Sequence, residues 1–164
     1  MRYFLIPTSI LLAFFLEWTV GQKISLWFVP PPFTALVLLY WFWDMKFSVR
    51  VWLGVIVGML FDGISAFPFG TYMVSFVALG VGTTFFRFFF SNVESTLTRS
   101  ISIGALLCMF FVATPAWGRI LGFLSASQNG FLSWGVFPDI FGAAALWATV
   151  LTILFSSAIA KLQK

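Results

Sequence analysis

Residues Val51 to Phe69 read VWLGVIVGMLFDGISAFPF, followed by Gly70. The run is apolar enough to enter a bilayer, yet it holds one carboxylate, Asp62, then Gly63 and a Pro68-Phe69-Gly70 turn. A helix starting near Arg50 carries Asp62 about 18 Å along its axis at 1.5 Å per residue. That stops short of the far surface of a hydrocarbon layer about 30 Å thick. An aspartate at the centre of a membrane helix costs about 2.5 to 3.5 kcal/mol, less towards either interface, so something must compensate for it.

Gly54, Gly58 and Asp62 are spaced i, i+4, i+8 and share one helix face. The Gly54–Gly58 step lets another helix approach closely in lipid. Gly63 is expected to end the helix, and Pro68 has no backbone N–H to donate. Two readings of Asp62 stand together: it braces a partner helix received on the glycine face, or it caps a helix end under the short turn.

The class follows from composition: 61% hydrophobic and 9% charged residues belong to an integral membrane protein. A single transmembrane domain over residues 1–164 is expected. The net charge of +4 comes from cations scattered between apolar blocks, which fits positive loops on one membrane face better than nucleic acid. There is no histidine, and the single cysteine, Cys108, sits in an apolar segment as packing, so the chain alone offers no disulfide and no thiolate or imidazole metal site.

In order, Tyr3 to Val20 reads as a first span, retained rather than cleaved, with Glu17 and Trp18 at the far interface, where the carboxylate reaches water. Pro30-Pro31-Pro32 divides the next block, so helix runs from Pro32 to Trp43, about 18 Å and too short to span alone. Tyr40-Trp41-Phe42-Trp43 reads as an aromatic belt, and Asp44 to Arg50 as a polar loop. The interrupted Asp62-Gly63 helix is the third span and Thr71 to Phe90 the fourth. Thr71, Ser75, Ala78 and Gly82 form a second small face suited to the first. Ser91 to Ser100 is a polar loop, and Ile101 to Trp117 a fifth span. Arg119 to Pro138 is the longest non-spanning stretch. Asp139 caps a sixth span, which carries a further small face and ends in Lys161 and Lys164.

With six spans, Arg2, Lys46, Arg50, Arg87, Arg99, Lys161 and Lys164 share one side, against Lys23 and Arg119. Both termini are therefore expected in the cytoplasm, with the Asp62 end outward. The five acids are scattered and no phosphate-cradling loop appears, so no catalytic constellation is visible. A carrier built on a lone buried acid would be longer and show inverted repeats. The pattern reads as a scaffold that holds other membrane helices by packing.

The segment FVPPPFTALVLLYWFWDMKFSVRVWLGVIVGMLFDGISAFPFGTYMVSFVALGVGTTFFRFFFSN, residues 28–92, resembles the rod shape-determining protein MreD family. In that family a proline-led helix ends in an aromatic pair, here Tyr40-Trp41. A short basic loop follows, then G-x-x-x-G-x-x-x-D and a turn. Gly54, Gly58, Asp62, Pro68 and Gly70 fall on those positions, and Ser65 lies where a small polar residue is common. The triple proline and the high Phe and Trp content depart from the pattern.

The resemblance implies a non-enzymatic scaffold of cell elongation in the bacterial inner membrane. It would associate with an MreC-like protein, and through it with MreB, a RodA-type glycosyltransferase and a class B penicillin-binding protein. No cofactor, nucleic acid or small-molecule substrate is expected beside membrane lipid. Gly54, Gly58, Asp62, Gly63, Ser65, Pro68, Gly70, Ser75 and Gly82 are the expected partner and packing positions. The implied fold is all-α and resembles the six-helix S components of energy-coupling-factor transporters. The alternative function is accordingly a small-molecule-binding transporter subunit, which would need a small docking face on the first helix. Only Ser9 and Ala13 offer one.

Overall fold

The computed structural model describes residues 2–20, 23–24, 31–65, 67–89, 96–124, 146–147, 149–150 and 153. Five helices are described in full: α1 (Arg2–Thr19), α2 (Phe33–Asp44), α3 (Phe47–Ile64), α4 (Thr71–Phe89) and α5 (Thr96–Leu124). Residues 146, 147, 149, 150 and 153 are also helical. Three helical stretches, Phe47–Ile64, Thr71–Phe89 and Thr98–Leu121, are long and apolar enough to cross a membrane, while Leu5–Thr19 and Phe33–Asp44 are shorter apolar helices. Their outward faces carry Leu12, Phe15, Trp52, Ile56, Phe85 and Met109, all largely exposed, as helices do when lipid is their solvent.

α2 explains how a helix of 12 residues is accommodated. Leu38, Leu39 and Phe42 are wholly buried, and Thr34, Ala35 and Leu36 nearly so. A helix apolar around most of its circumference belongs inside a bundle, and α1, α4 and α5 enclose this one. Its start agrees with the proline reading: Pro31 and Pro32 precede it, and Phe33 N donates to Pro31 O. α4 is the other organising helix. It packs along α3 on one side and α5 on another, where Gly82 faces Leu106 and the Phe76 and Phe110 rings meet at 5.0 Å. Phe14 of α1 meets Phe61 of α3 edge-on at 5.0 Å.

Several boundaries differ from the sequence reading, each for a physical reason. The loop before α3 is only Met45 and Lys46, and Phe47 to Arg50 is already helix. α5 begins at Thr96 and runs on to Leu124, so Arg99 and Arg119 are helical rather than in loops. Arg99 is held by the end of α2: it donates to Tyr40 O at 3.1 Å, pairs with Asp44 at 3.6 Å, and lies 4.9 and 5.7 Å from the Tyr40 and Trp43 ring centroids. Within the aromatic run Tyr40, Trp41 and Trp43 are half-buried. Phe42 is in the core, and Trp41 Nε1 donates to Ser9 Oγ at 2.9 Å. The expected polar loop residues 91–95, the stretch 125–138, the Asp139 cap and most of the last span's small face lie outside the described residues.

Candidate functional site

The site is the seam between α3 and α4. Arg50, Gly54, Gly58 and Asp62 recur every four residues, and all are buried. A Cβ built on Gly54 meets the Phe76 carbonyl at 3.0 Å and Val77 N at 3.1 Å. One built on Gly58 meets Met73 Cα at 2.3 Å and Met73 N at 2.7 Å. The glycines let the two backbones touch, as a close glycine step does in lipid. Further along, a Cβ built on Gly80 of α4 meets the Arg50 Cβ and backbone at 3.4 to 3.6 Å, an ordinary van der Waals contact. The two helices run antiparallel over three turns.

At one end of the seam Asp62 caps α4. Its Oδ2 accepts from Gly70 N at 2.9 Å and Met73 N at 3.1 Å, and its Oδ1 from Tyr72 N at 2.8 Å. The first turn of a helix leaves such N–H groups without intrahelical partners, and negative charge there suits the helix dipole. Thr71 N turns to Pro68 O at 3.2 Å, and Val74 N closes the first helical bond to Gly70 O at 3.0 Å. Every amide from Gly70 to Val74 thus has an acceptor. Asp62 is 5% exposed, and three of its roughly four lone-pair sites are occupied. Its oxygens are committed to the start of α4, which makes it a capping side chain.

At the opposite end Arg50, 3% exposed, staples α3 to the chain on either side. Its Nε and Nη2 donate to Met45 O at 2.8 and 2.6 Å, and its Nη1 to Thr84 Oγ1 at 3.0 Å. The planar guanidinium fork reaches two targets that an ammonium could not bridge together.

These contacts correct the docking reading of the glycine face. Gly54, Gly58 and Asp62 do meet a helix, but it is α4 of the same chain, so the face is not open to a partner. The capping reading of Asp62 is the one the geometry satisfies. Gly63 does not end α3. It is exposed, an added Cβ there meets nothing within 4 Å, and the helix runs on to Ile64. Ser65 follows as the C-cap, its N–H donating to Phe61 O. The glycine the turn requires is Gly70, at φ +98°, a conformation that side chains disfavour.

On α4 the expected small face is divided. Thr71 and Ser75 are buried and Ser75 Oγ donates to Thr71 O, but Ala78 is exposed and Gly82 faces α5. Tyr72, Met73, Phe76, Val77 and Gly80 form the side that receives α3. Pro68 contributes its carbonyl, which also accepts from Thr71 Oγ1 at 2.7 Å. Gly118 of α5 lets Phe67 approach, so the turn is covered from that side too.

Glu17 was expected to reach water. Instead its Oε2 accepts from Thr34 N at 2.9 Å, supplying the start of α2 with an acceptor after the prolines. Arg50 and Glu17 are the functional side chains that local spacing left out. Arg50 does carry a signal: it extends the glycine face by one four-residue step.

A family model described as rod shape-determining protein MreD matches residues 1–162. The chain belongs to the MreD family. The MreD match spans nearly the whole chain, including α1 and α5, where the motif in residues 28–92 offered only hydropathy. MreD proteins act in rod shape determination in the membrane, and the apolar helices fit that setting. Comparison with curated proteins and with solved structures gives no match.

Proposed function

We propose that the chain is a non-enzymatic, six-span scaffold of the cell-elongation complex in the bacterial inner membrane, with both termini cytoplasmic. Membership of the rod shape-determining family supports the cell-shape role. The observation that carries the scaffold reading is the use of the polar side chains: Asp62, Glu17 and Arg50 each join one helix to another. In this reading the helical residues 146, 147, 149, 150 and 153 belong to the sixth span of an S-component-like bundle. Arg50 leaves the positive-inside tally because its charge is held within the fold. Arg2, Lys46, Arg87, Arg99, Lys161 and Lys164 still oppose Lys23 and Arg119.

The partner in this reading is an MreC-like membrane protein, and through it a RodA-type glycosyltransferase, a class B penicillin-binding protein and MreB. Since α4 fills the Gly54–Gly58 face, the partner helix is assigned to the outward face of α3. There Trp52, Ile56, Met59 and Leu60 are exposed and Gly63 leaves a smooth point. The transporter alternative is disfavoured by α1: Ser9 is bonded to Trp41, and Ala13 is buried at 4% exposure, so its small face is turned inward.

The test is to deplete the native copy in the source bacterium and supply the chain with a photo-crosslinking residue at Leu60 or, as a buried control, at Val57. Rod-shaped cells and a crosslink to the MreC-like protein from position 60 alone are expected. Round cells with the unmodified chain would refute the cell-shape role. A rod-shaped strain with no crosslink from position 60 would refute the assigned face.

A further inference from the structure

At the end of the α3–α4 seam opposite the Asp62 cap, three cations gather within one turn of a single hydrogen bond. Along the seam Gly58 of α3 stands against Met73 of α4, Gly54 against Phe76 and Val77, and Arg50 against Gly80. Arg50 Nη1 then donates to Thr84 Oγ1 at 3.0 Å. Each four-residue step on α3 is matched by three or four residues on α4, so the next step sets Lys46 beside Thr84 and Arg87. The Lys46 carbonyl accepts from Arg50 N at 3.2 Å, and Arg87 lies one turn beyond Thr84 on the same face. Both side chains are exposed.

Arg50 is the unusual member. It is buried and its guanidinium stays charged, yet its hydrogen bonds end on the neutral oxygens of Met45 and Thr84. Those dipoles satisfy N–H groups but leave the positive charge unbalanced, and a buried charge without a counter-charge is costly. Among the described residues neither Lys46 nor Arg87 has an acidic partner. Asp44, the acid nearest to Lys46 in the chain, is paired with Arg99 of α5 at 3.6 Å. The anion that a membrane offers at the end of a helix pair is a lipid phosphate, and basic pockets between helices hold such headgroups. The neighbouring surface suits the rest of that molecule. Phe47 follows Lys46 and Phe88 follows Arg87, both exposed, so apolar rings lie beside the cations for acyl chains to cover.

We propose that this end of the seam binds the headgroup of an anionic phospholipid, with Lys46 and Arg87 holding its phosphate and the fixed charge of Arg50 behind them. The site is independent of the elongation reading and of the partner face assigned to α3.

The test uses the full chain in a neutral detergent, titrated with phosphatidylglycerol or with phosphatidylcholine of the same acyl chains. Bound lipid is counted by native mass spectrometry, and the unfolding midpoint is followed in parallel. The wild-type chain is expected to retain one phosphatidylglycerol at least about tenfold more tightly than phosphatidylcholine, and to unfold later as the site fills. Lys46→Gln and Arg87→Gln should each weaken that binding about fivefold, whereas Lys23→Gln, an equal loss of charge beyond the end of α1, should not. Because Lys46 and Arg87 are exposed, both variants should unfold with the wild type when no lipid is added; the headgroup preference of the wild-type chain keeps the proposal falsifiable if they do not. Equal retention of the two lipids, a loss in Lys23→Gln equal to that in the two variants, or the same stabilisation from inorganic phosphate would overturn the proposal.

Discussion

Replacing Gly58 by alanine adds the smallest possible side chain at the tightest point between α3 and α4. The new Cβ would lie 2.3 Å from Met73 Cα and 2.7 Å from Met73 N. Carbon atoms pack best at about 3.5 to 4.0 Å, so the helices must separate by roughly 1.2 Å. Both opposing atoms are backbone, and neither can rotate away. Asp62 lies one turn further along, where its bonds to Gly70, Tyr72 and Met73 measure 2.8 to 3.1 Å. Such bonds fade beyond about 3.5 Å, so the same displacement pulls the cap apart. Overpacking costs about 1 to 3 kcal/mol, and losing one hydrogen bond to a charged acceptor about 1.5 to 3 kcal/mol. The combined loss, about 2.5 to 6 kcal/mol, is a large part of the roughly 5 to 15 kcal/mol that holds a folded domain.

The assay is thermal unfolding of purified protein in detergent, with two alanine controls. Gly63→Ala meets open space and should leave stability unchanged or raise it by up to about 1 kcal/mol. Gly82→Ala meets only Leu106 Cδ2 at 2.7 Å, the far end of a flexible side chain, and should cost far less than Gly58→Ala. If Gly58→Ala unfolds with the wild type, or no earlier than Gly82→Ala, the backbone-contact reasoning fails.

Two further substitutions test the ends of the framework. Arg50→Lys keeps the charge but cannot bridge Met45 O and Thr84 Oγ1 together, and a loss of about 1 to 3 kcal/mol is expected in the same unfolding assay. Thr84→Val should cost less, because the Met45 contacts survive it. Glu17→Ala strips the acceptor from Thr34 N at the start of α2, for about 1 to 3 kcal/mol, whereas Glu17→Gln should retain most of the stability.

What the sequence made legible was local. Three prolines in a row announced the start of α2, and the i, i+4, i+8 spacing of Gly54, Gly58 and Asp62 defined a face that is indeed buried. The identity of the opposing surface was not legible. Two backbones can touch where only one helix supplies a glycine, so α4 presents Tyr72, Met73, Phe76 and Val77 opposite Gly54 and Gly58, its own seam glycine is Gly80 beside Arg50, and Gly82 of the expected small face turns to α5. Gly63, expected to end the helix, lies inside α3, while Gly70, with φ +98°, is the constrained position. The sequence reading ends the fifth span at Trp117, whereas α5 continues through Gly118 and Gly122 to Leu124, because a helix tolerates single glycines. Glu17 and Arg50 act on groups 17 and 34 residues away, Thr34 and Thr84, and no local pattern encodes such pairings.

The most direct test is amide hydrogen exchange of the 70–73 segment in the isolated, partner-free protein, comparing wild type with Asp62→Ala. If Asp62 closes the start of α4 within its own chain, the amides of Gly70, Tyr72 and Met73 are protected in the wild type without any partner, and exchange rapidly in the variant. Equal exchange in the two proteins, or protection that arises only when a partner is added, would contradict that claim.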